Sequence, residues 1–204
     1  MALLGALLGR DRRRHERAGF MLYGAAVAAA RAPALYRDLA VPDTLDGRFD
    51  MVGLHAFLLI RHLQRQADPG GALAQAVFDA MFSDMDMNLR EIGVGDLSVG
   101  KHMRAMWEAF HGRAQAYGQA MDGAEPAAAL AAALARNVWR EAAPAGMALA
   151  LARYALGIAA CLAPQKLADL AAGRAVFPAG PIPAGPAADA PVADTAPPGA
   201  TVPA

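Results

Sequence analysis

A stripe of apolar side chains with helical spacing is the feature that most limits what this chain can form. Between residues 72 and 92, large apolar side chains recur every four positions, namely Leu73, Val77, Met81, Met85 and Leu89, widened by Phe78 and Phe82. A second stripe, after a loop at residues 93–97, contains Met103, Met106, Trp107, Phe110, Ala114, Tyr117 and Met121. This period is typical of amphipathic α-helices that bury one face. We therefore expect two long packed helices in the middle of the chain.

The composition extends this prediction to the whole chain. Hydrophobic residues make up 56% of the sequence but aromatic residues only 6%, and the prominence of Ala and Leu over β-branched residues favours helix. Besides the two central helices, at residues 72–92 and 98–121, further helices are predicted at residues 16–31 (with Phe20 packed inward), 48–67, 126–139, 144–162 and 165–172, with a short turn around residues 35–39. Asp46 and Ser98 are the predicted N-caps of the second and fourth long helices. The predicted fold class is all-α, a compact single domain of about six to eight helices.

Three segments are predicted from the distribution of charge and proline. Residues 1–15 form a basic, amphipathic N-terminal segment, residues 16–177 a helical domain, and residues 178–204 a tail with eight prolines. Such a tail has little to bury, so we expect it to be disordered. The N-terminal leucines and the arginines that follow them could rest on an anionic membrane surface through residues 1–17, or they could be a frayed helix end. The sequence leaves both alternatives open.

Charge and cysteine content exclude several functional classes. Lys and Arg number 19 and Asp and Glu also 19, so no excess positive charge favours nucleic acid. Cys161 is the only cysteine, which excludes an intramolecular disulfide and a cysteine zinc cluster; we expect it in the core. The N-terminal basic cluster follows the apolar residues, the reverse of a secretory signal. We expect a cytoplasmic protein, with peripheral contact to the inner membrane as the open question.

Two acidic motifs have a chemical and a structural interpretation. Residues 84–88 (DMDMN) match the start of a calcium-binding EF-hand loop, but the glycine and the glutamate that the loop needs later are missing. Asp43, Asp46 and Asp50 could form an acid–base or metal site; capping and the helix dipole explain them more simply. His55 and His62 lie two turns apart without a metal-binding pattern, which favours a packing role. No cofactor or metal is predicted.

The order of several short motifs resembles one protein family, the ubiquinol-cytochrome c chaperones. The motifs are residues 43–50 (DTLDGRFD), 54–55 (LH), 78–79 (FD), 82–86 (FSDMD) and 89–99 (LREIGVGDLSV), and the similarity continues through Lys101, Met103, Met106, Phe110, Gly112, Arg113 and Tyr117. The resemblance implies an all-α protein that assists biogenesis of the ubiquinol-cytochrome c reductase. In mitochondrial members the client is newly made cytochrome b, bound near the ribosome with a small partner subunit. The family has no established catalytic residues to transfer.

We therefore predict a non-enzymatic assembly chaperone for cytochrome b or an early assembly intermediate. The two central helices and their loop are the predicted client surface, because a groove lined by Met and aromatic side chains suits an apolar client helix. The candidate client or partner residues are Asp43, Asp46, Arg48, Asp50, Met87, Arg90, Asp96, Lys101 and Arg104. Two alternatives remain: a metal-dependent enzyme that uses Asp43, Asp46 and Asp50, and a membrane-peripheral scaffold.

Overall fold

The structure is a computed structural model that describes residues 2–140 and 142–181. These residues contain eight α-helices and no strand. The helices are α1 (Ala2–Ala30), α2 (Pro33–Arg37), α3 (Leu45–Gln64), α4 (Gly70–Glu91), α5 (Asp96–Asp122), α6 (Pro126–Val138), α7 (Met147–Leu162) and α8 (Leu167–Ala171). The all-α prediction is confirmed. The predicted tail lies outside the described residues, apart from residues 178–181.

The first helix is longer than predicted. The helix predicted at residues 16–31 begins at Ala2 and continues without a break to Ala30. An exposed ion pair between Arg12 and Glu16, 2.9 Å apart and one turn apart, supports the helix across the predicted boundary. Near its middle, a Cβ atom on Gly19 would lie 2.6 Å from the backbone of Ala76, so only glycine permits α1 to approach α4 this closely.

Three helix starts differ from the predictions. The N-cap of α3 is Thr44, whose hydroxyl accepts a hydrogen bond from the Gly47 backbone N–H at 3.1 Å, and Asp46 lies in the first turn. Gly95 precedes the first residue of α5, so Ser98 lies inside the helix and is not its cap. The seventh helix begins at Met147, after Gly146 with a φ of 78°. This left-handed residue interrupts the helix that the proline at residue 144 was expected to begin.

The core is built around α3, which contacts α1, α4, α5, α6 and α7. Every residue from Leu54 to Ile60 is buried, and Leu73, Val77, Met81 and Met85 of the α4 stripe pack into the same core. The buried part of that stripe confirms the predicted period. Phe20 and Trp107, both predicted to be buried, are exposed, and Cys161 is half-buried with its sulfur 3.6 Å from the Val176 carbonyl oxygen.

A single histidine is fully buried in this core. The Nδ1 atom of His55 lies 2.8 Å from the Met51 carbonyl oxygen, and its Nε2 atom lies 3.0 Å from the Tyr154 hydroxyl. Since a carbonyl only accepts, Nδ1 carries the proton and the Tyr154 hydroxyl donates to Nε2. Burial lowers the pKa of His55 to about 4 and raises that of Tyr154 to about 12. His55 is a neutral packing residue, as the sequence indicated.

Candidate functional site

An open cleft of about 560 Å³ lies between α3, α4 and α5. Its apolar wall consists of Phe57 from α3, Phe78 from α4, and Trp107, Phe110 and His111 from α5. We call this feature the aromatic cleft. Phe57 and Phe110 are buried, whereas the Trp107 side chain is 47% exposed. The cleft therefore presents a large apolar ring to solvent above a floor that is already packed.

The rings of the aromatic cleft hold one another in place. The centroids of Trp107 and His111 lie 3.9 Å apart, and the His111 ring lies 5.5 Å from Phe78 in an edge-on arrangement. Phe78 in turn lies 5.8 Å from Phe110. Such offset and edge-on contacts are favourable between aromatic rings. A wall assembled in this way is preorganised, so an apolar partner would lose little entropy in ordering it.

The edge of the aromatic cleft is polar and partly fixed by ion pairs. Arg61 donates to both carboxylate oxygens of Asp122, at 2.7 and 3.2 Å, and Arg65 donates to the same carboxylate at 3.0 Å. These hydrogen bonds lower the pKa of Asp122 to about 2. The amides of Gln64, Gln75 and Gln115 also line the edge. An apolar floor with a polar, hydrogen-bonding edge is the usual composition of a binding groove.

The turn between α4 and α5 carries a second exposed apolar group. Met87 is 58% and Ile92 64% exposed. Beside them, Arg90 bridges Asp86 at 2.8 Å and Asp96 at 2.6 Å. These ion pairs are exposed, so they contribute little to stability, but they fix the charged groups around the two apolar side chains. We call Met87, Ile92 and this ion-pair group the α4–α5 tip.

A buried carboxylate on α3 binds the C-terminal half of α5. Asp50 on α3 is 4% exposed, with Oδ1 lying 2.9 Å from Arg113 Nη2 and Oδ2 accepting a hydrogen bond from Arg140 Nη1 at 3.1 Å. Oδ1 accepts no hydrogen bond, so its contact with Arg113 is electrostatic. Burial raises the pKa of Asp50, and the two guanidinium groups oppose that shift. We call these three residues the Asp50 cluster.

Comparison with known proteins identifies the family of this chain. A sequence model described as ubiquinol-cytochrome C chaperone matches residues 37–177, which is well over half of the chain. The chain belongs to the ubiquinol-cytochrome c chaperone family. It is also similar to the crystal structure of the Cbp3 homolog from Brucella abortus, with 38% sequence identity and a TM-score of 0.74 over 87% of this chain and 96% of that one. No curated protein matches.

Membership of this family supports an assembly-chaperone role for the chain and implies that it binds a component of the respiratory complex. The resemblance seen in the sequence motifs is thereby confirmed. Within the ranges 2–140 and 142–181, no helix of the chaperone has both the length and the hydropathy to cross a membrane.

The nine predicted client residues of the chaperone fall into two separate groups. Met87, Arg90 and Asp96 meet at the α4–α5 tip, and Lys101 and Arg104 lie exposed further along α5, where Arg104 pairs with Glu108 at 2.9 Å. The other group lies around the start of α3. There Arg48 donates to exposed Asp43 at 2.7 Å, and Asp46 lies 3.7 Å from Arg140.

The acidic trio at the start of α3 acts only partly as the sequence suggested. Asp46 lies in the first turn, where the helix dipole favours a carboxylate. Asp50 does not cap a helix, because its carboxylate is enclosed by two arginines. Asp46 is not the cap either, since Thr44 occupies that position. Among the described residues, no three His, Cys, Asp or Glu side chains are arranged to hold a metal ion. Residues 84–88 lie within α4 and not in a loop, in agreement with the rejection of the EF-hand interpretation.

The aromatic residues of the cleft were not among the nine named client residues, although the client surface was predicted to lie on the two central helices. Trp107 and Phe110 were assigned to a buried stripe of α5. The helical period alone could not separate them, because it shows which residues share a face and not whether another helix covers that face. The one available signal was the spacing of Trp107 and His111, four residues apart, which lets their rings stack.

Proposed function

We propose that this chaperone binds newly made cytochrome b, or an early intermediate that contains it, through the aromatic cleft and without catalysis. The observation that carries the proposal is the exposed Trp107 ring above a preorganised aromatic wall. Large aromatic side chains in partly enclosed positions are those that most often dominate binding energy at protein interfaces.

The chemistry of the client fits the cleft. An unassembled membrane subunit exposes apolar helices that must be shielded from water, and an amphipathic or apolar helix binds a hydrophobic groove through side chains spaced three or four residues apart. Phe57, Phe78 and Phe110 supply the apolar floor, while the amides at the edge can hydrogen-bond with groups at the border of the client helix.

The α4–α5 tip extends the proposed client surface. Met87 and Ile92 lie at the same end of α5 as its open N-terminal half, and the flexible thioether of Met87 suits apolar partners of varied shape. We assign Arg90, Asp96, Lys101 and Arg104 to the charged border of this surface. Asp43, Asp46 and Arg48 lie in the other group and are the candidates for contact with a small partner subunit.

A non-enzymatic mechanism is part of the proposal. The alternative, metal-dependent catalysis at Asp43, Asp46 and Asp50, would need these carboxylates to converge on an accessible point. Asp43 and Asp50 are instead engaged by different arginines. Thermal unfolding with and without Mg²⁺, Mn²⁺ or Zn²⁺ tests this part, because a native-state ligand raises the apparent stability. A metal-dependent rise that Asp43→Asn abolishes would favour the enzyme.

Site-specific photo-cross-linking tests the client site. A photoreactive amino acid at position 107 should label cytochrome b during its synthesis, and position 87 should label it more weakly. The same group in place of the exposed Arg153 on α7 is the matched control and should not label it. Labelling from position 153 that equals labelling from position 107 would contradict the assignment of the cleft.

Complementation of a deletion strain tests whether the aromatic cleft is needed for assembly of the reductase in the cell. Deletion of the gene should reduce the assembled ubiquinol-cytochrome c reductase, and the wild-type chain should restore it. A Trp107→Ala/His111→Ala variant should accumulate normally but fail to restore assembly, whereas Arg153→Ala should restore it fully. Normal assembly in the deletion strain would overturn the function itself, and full rescue by the double variant would overturn only the site.

A further inference from the structure

The outward face of α1 is basic and apolar. The inward side of the helix is buried, with Ala18, Leu22, Ala26 and Ala30 packed in the core. On a helix, residues 10, 13, 14 and 17 point to the opposite side, and all four are arginines. Phe20 and Met21 continue this face, and their side chains are 56% and 48% exposed. Phe20 therefore lies in water directly beside a run of cations, and Met21, which packs against Gly173 on one side, is half-exposed next to it.

The positive charge of this face is not neutralised within the helix. Arg12, on the flank, pairs with Glu16, but Arg13, Arg14 and Arg17 take part in no ion pair among the described residues. The acidic residues of this stretch, Asp11 and Glu16, lie at the borders of the outward face by their helical positions. The face thus carries concentrated positive charge on a chain whose net charge is zero.

A second basic group lies where α1 ends. Arg31, Arg37 and Arg48, from the end of α1, from α2 and from α3, line one open hollow of about 510 Å³ together with Tyr36. Arg37 is paired with the partly exposed Asp38, and Arg48 with Asp43, which lines the same hollow. Arg31 enters no ion pair in the described part of the chain, so it adds one positive charge to the outward face beyond Phe20 and Met21.

We propose that the outward face of α1, from Arg10 to Arg31, docks on an anionic phospholipid bilayer. In this arrangement α1 lies in the plane of the membrane, Phe20 and Met21 insert between the headgroups, and the arginines bind lipid phosphates. The exposed Met21 and the zero net charge of the chain favour lipid over nucleic acid, because RNA phosphates would bind the arginines without any use for an aliphatic thioether. The proposal rests on the proposed function, since a membrane-subunit client is met at the membrane.

Docking through α1 would leave the aromatic cleft accessible to a client. Gln75 on α4 lines both the cleft and the hollow between α1 and α4. The cleft therefore opens beside α1, about one helix diameter of roughly 10 Å from it, and not on the face that meets the lipid. A chaperone docked through α1 would keep its cleft open next to the bilayer, where an apolar client helix emerges.

Vesicle co-sedimentation of the full chain tests the proposal. We expect binding to vesicles of equal parts phosphatidylcholine and phosphatidylglycerol, and none to phosphatidylcholine alone. Arg13→Gln/Arg17→Gln should weaken binding roughly fivefold per arginine removed. Phe20→Ser/Met21→Ser should weaken it by about tenfold or more, through loss of the inserted apolar surface. The matched controls, Arg153→Gln for charge and Ile92→Ser for an exposed apolar residue, should bind like the wild type.

Three results would overturn the proposal. They are equal binding to neutral vesicles, unchanged binding of both α1 double variants, and a polyuridylate RNA that displaces the vesicles with an affinity insensitive to Phe20→Ser/Met21→Ser. The proposed function is tested separately: Trp107→Ala should retain vesicle binding while losing client cross-linking. Failure of the vesicle assay with intact cross-linking would therefore overturn only the membrane face, and the reverse result would overturn only the cleft.

Discussion

The two halves of α5 belong to one continuous helix but do different things. In the C-terminal half, Tyr117 is buried and the helix is fastened to α3 by two ion pairs, Arg113 with Asp50 and Asp122 with Arg61. In the N-terminal half, Lys101 and Arg104 are exposed, and Met103 and Met106 are only half-buried. The N-terminal half still packs against the core through Met103 and Met106, while the 47% exposed Trp107 leaves part of its apolar surface open to a partner.

The Asp50 cluster has the structural features of a rigid anchor. Arg140 lies in the left-handed region with a φ of 53°, as does Ala40, and such a conformation costs a non-glycine residue about 1–2 kcal/mol. The neighbouring Trp139 indole donates to the Ala40 carbonyl oxygen at 2.8 Å. The Trp139 hydrogen bond and the ion pair of Arg140 with Asp50 therefore hold the unfavourable backbone conformations of Ala40 and Arg140 in place. Such residues persist only where the surrounding structure is rigid.

The sharpest test of the comparison replaces one aromatic residue from each half. Phe110→Ala should lower the free energy of unfolding by about 4 kcal/mol, because the ring is buried and its removal leaves a cavity. Trp107→Ala, less than one turn away, should lower it by less than about 1 kcal/mol, since that ring is half in solvent. Urea denaturation measures both. Equal losses would show that Trp107 is core and that the cleft is closed in solution.

Removing the buried carboxylate tests the anchor itself. Asp50→Ala should cost about 3 kcal/mol, because it leaves Arg113 largely buried without its partner. Amide hydrogen exchange in the C-terminal half of α5 should become faster in this variant. Asp43→Ala, which breaks an exposed pair with Arg48, serves as the control and should leave both readouts unchanged. Unaltered exchange in Asp50→Ala would show that the packing of Tyr117 alone holds α5 in place.

A pH titration of stability probes the core between α3 and α7 through His55. Its pKa is about 4 in the native state against about 6.5 when unfolded, so below pH 6.5 the unfolded chain binds a proton that the native chain refuses. Stability should fall by about 2 kcal/mol between about pH 8 and about pH 5. His55→Gln should remove this part of the slope. Because the raised pKa of Asp50 acts in the opposite sense, the difference between the two proteins is the quantity to measure.

The smallest expected change in stability concerns the start of α3, on the N-terminal side of Asp50. Thr44→Ala removes the side-chain cap and should lower stability by about 1 kcal/mol. Thr44→Ser keeps the hydroxyl and should be close to neutral in thermal or urea unfolding. If Asp46→Ala were instead the more damaging variant, the cap predicted from the sequence would be the correct one in solution.

Much of the fold could be predicted because it depends on local patterns. The four-residue spacing from Leu73 to Met85 identified the buried side of α4. Helix starts were less predictable. Thr44 and Asp46 are both good capping residues, and the choice between them depends on where the preceding loop places the chain.

The candidate site was less predictable than the fold, for a physical reason. Periodicity placed Trp107 and Phe110 on one stripe of α5, yet one is exposed and the other buried, because α3 and α4 cover only part of that stripe. Asp50 gave no local sign of its role, since its partners lie 63 and 90 positions away at Arg113 and Arg140.

The sequence by itself determined the all-α class, the apolar sides of the central helices and the chaperone family, because each depends on residue type and order along the chain. The tertiary structure decided which apolar side chains stay open, which carboxylate is buried, and that the outward face of α1 combines arginines with Phe20 and Met21. Those features depend on which helix packs against which, and burial and pairing are properties of neighbours in space.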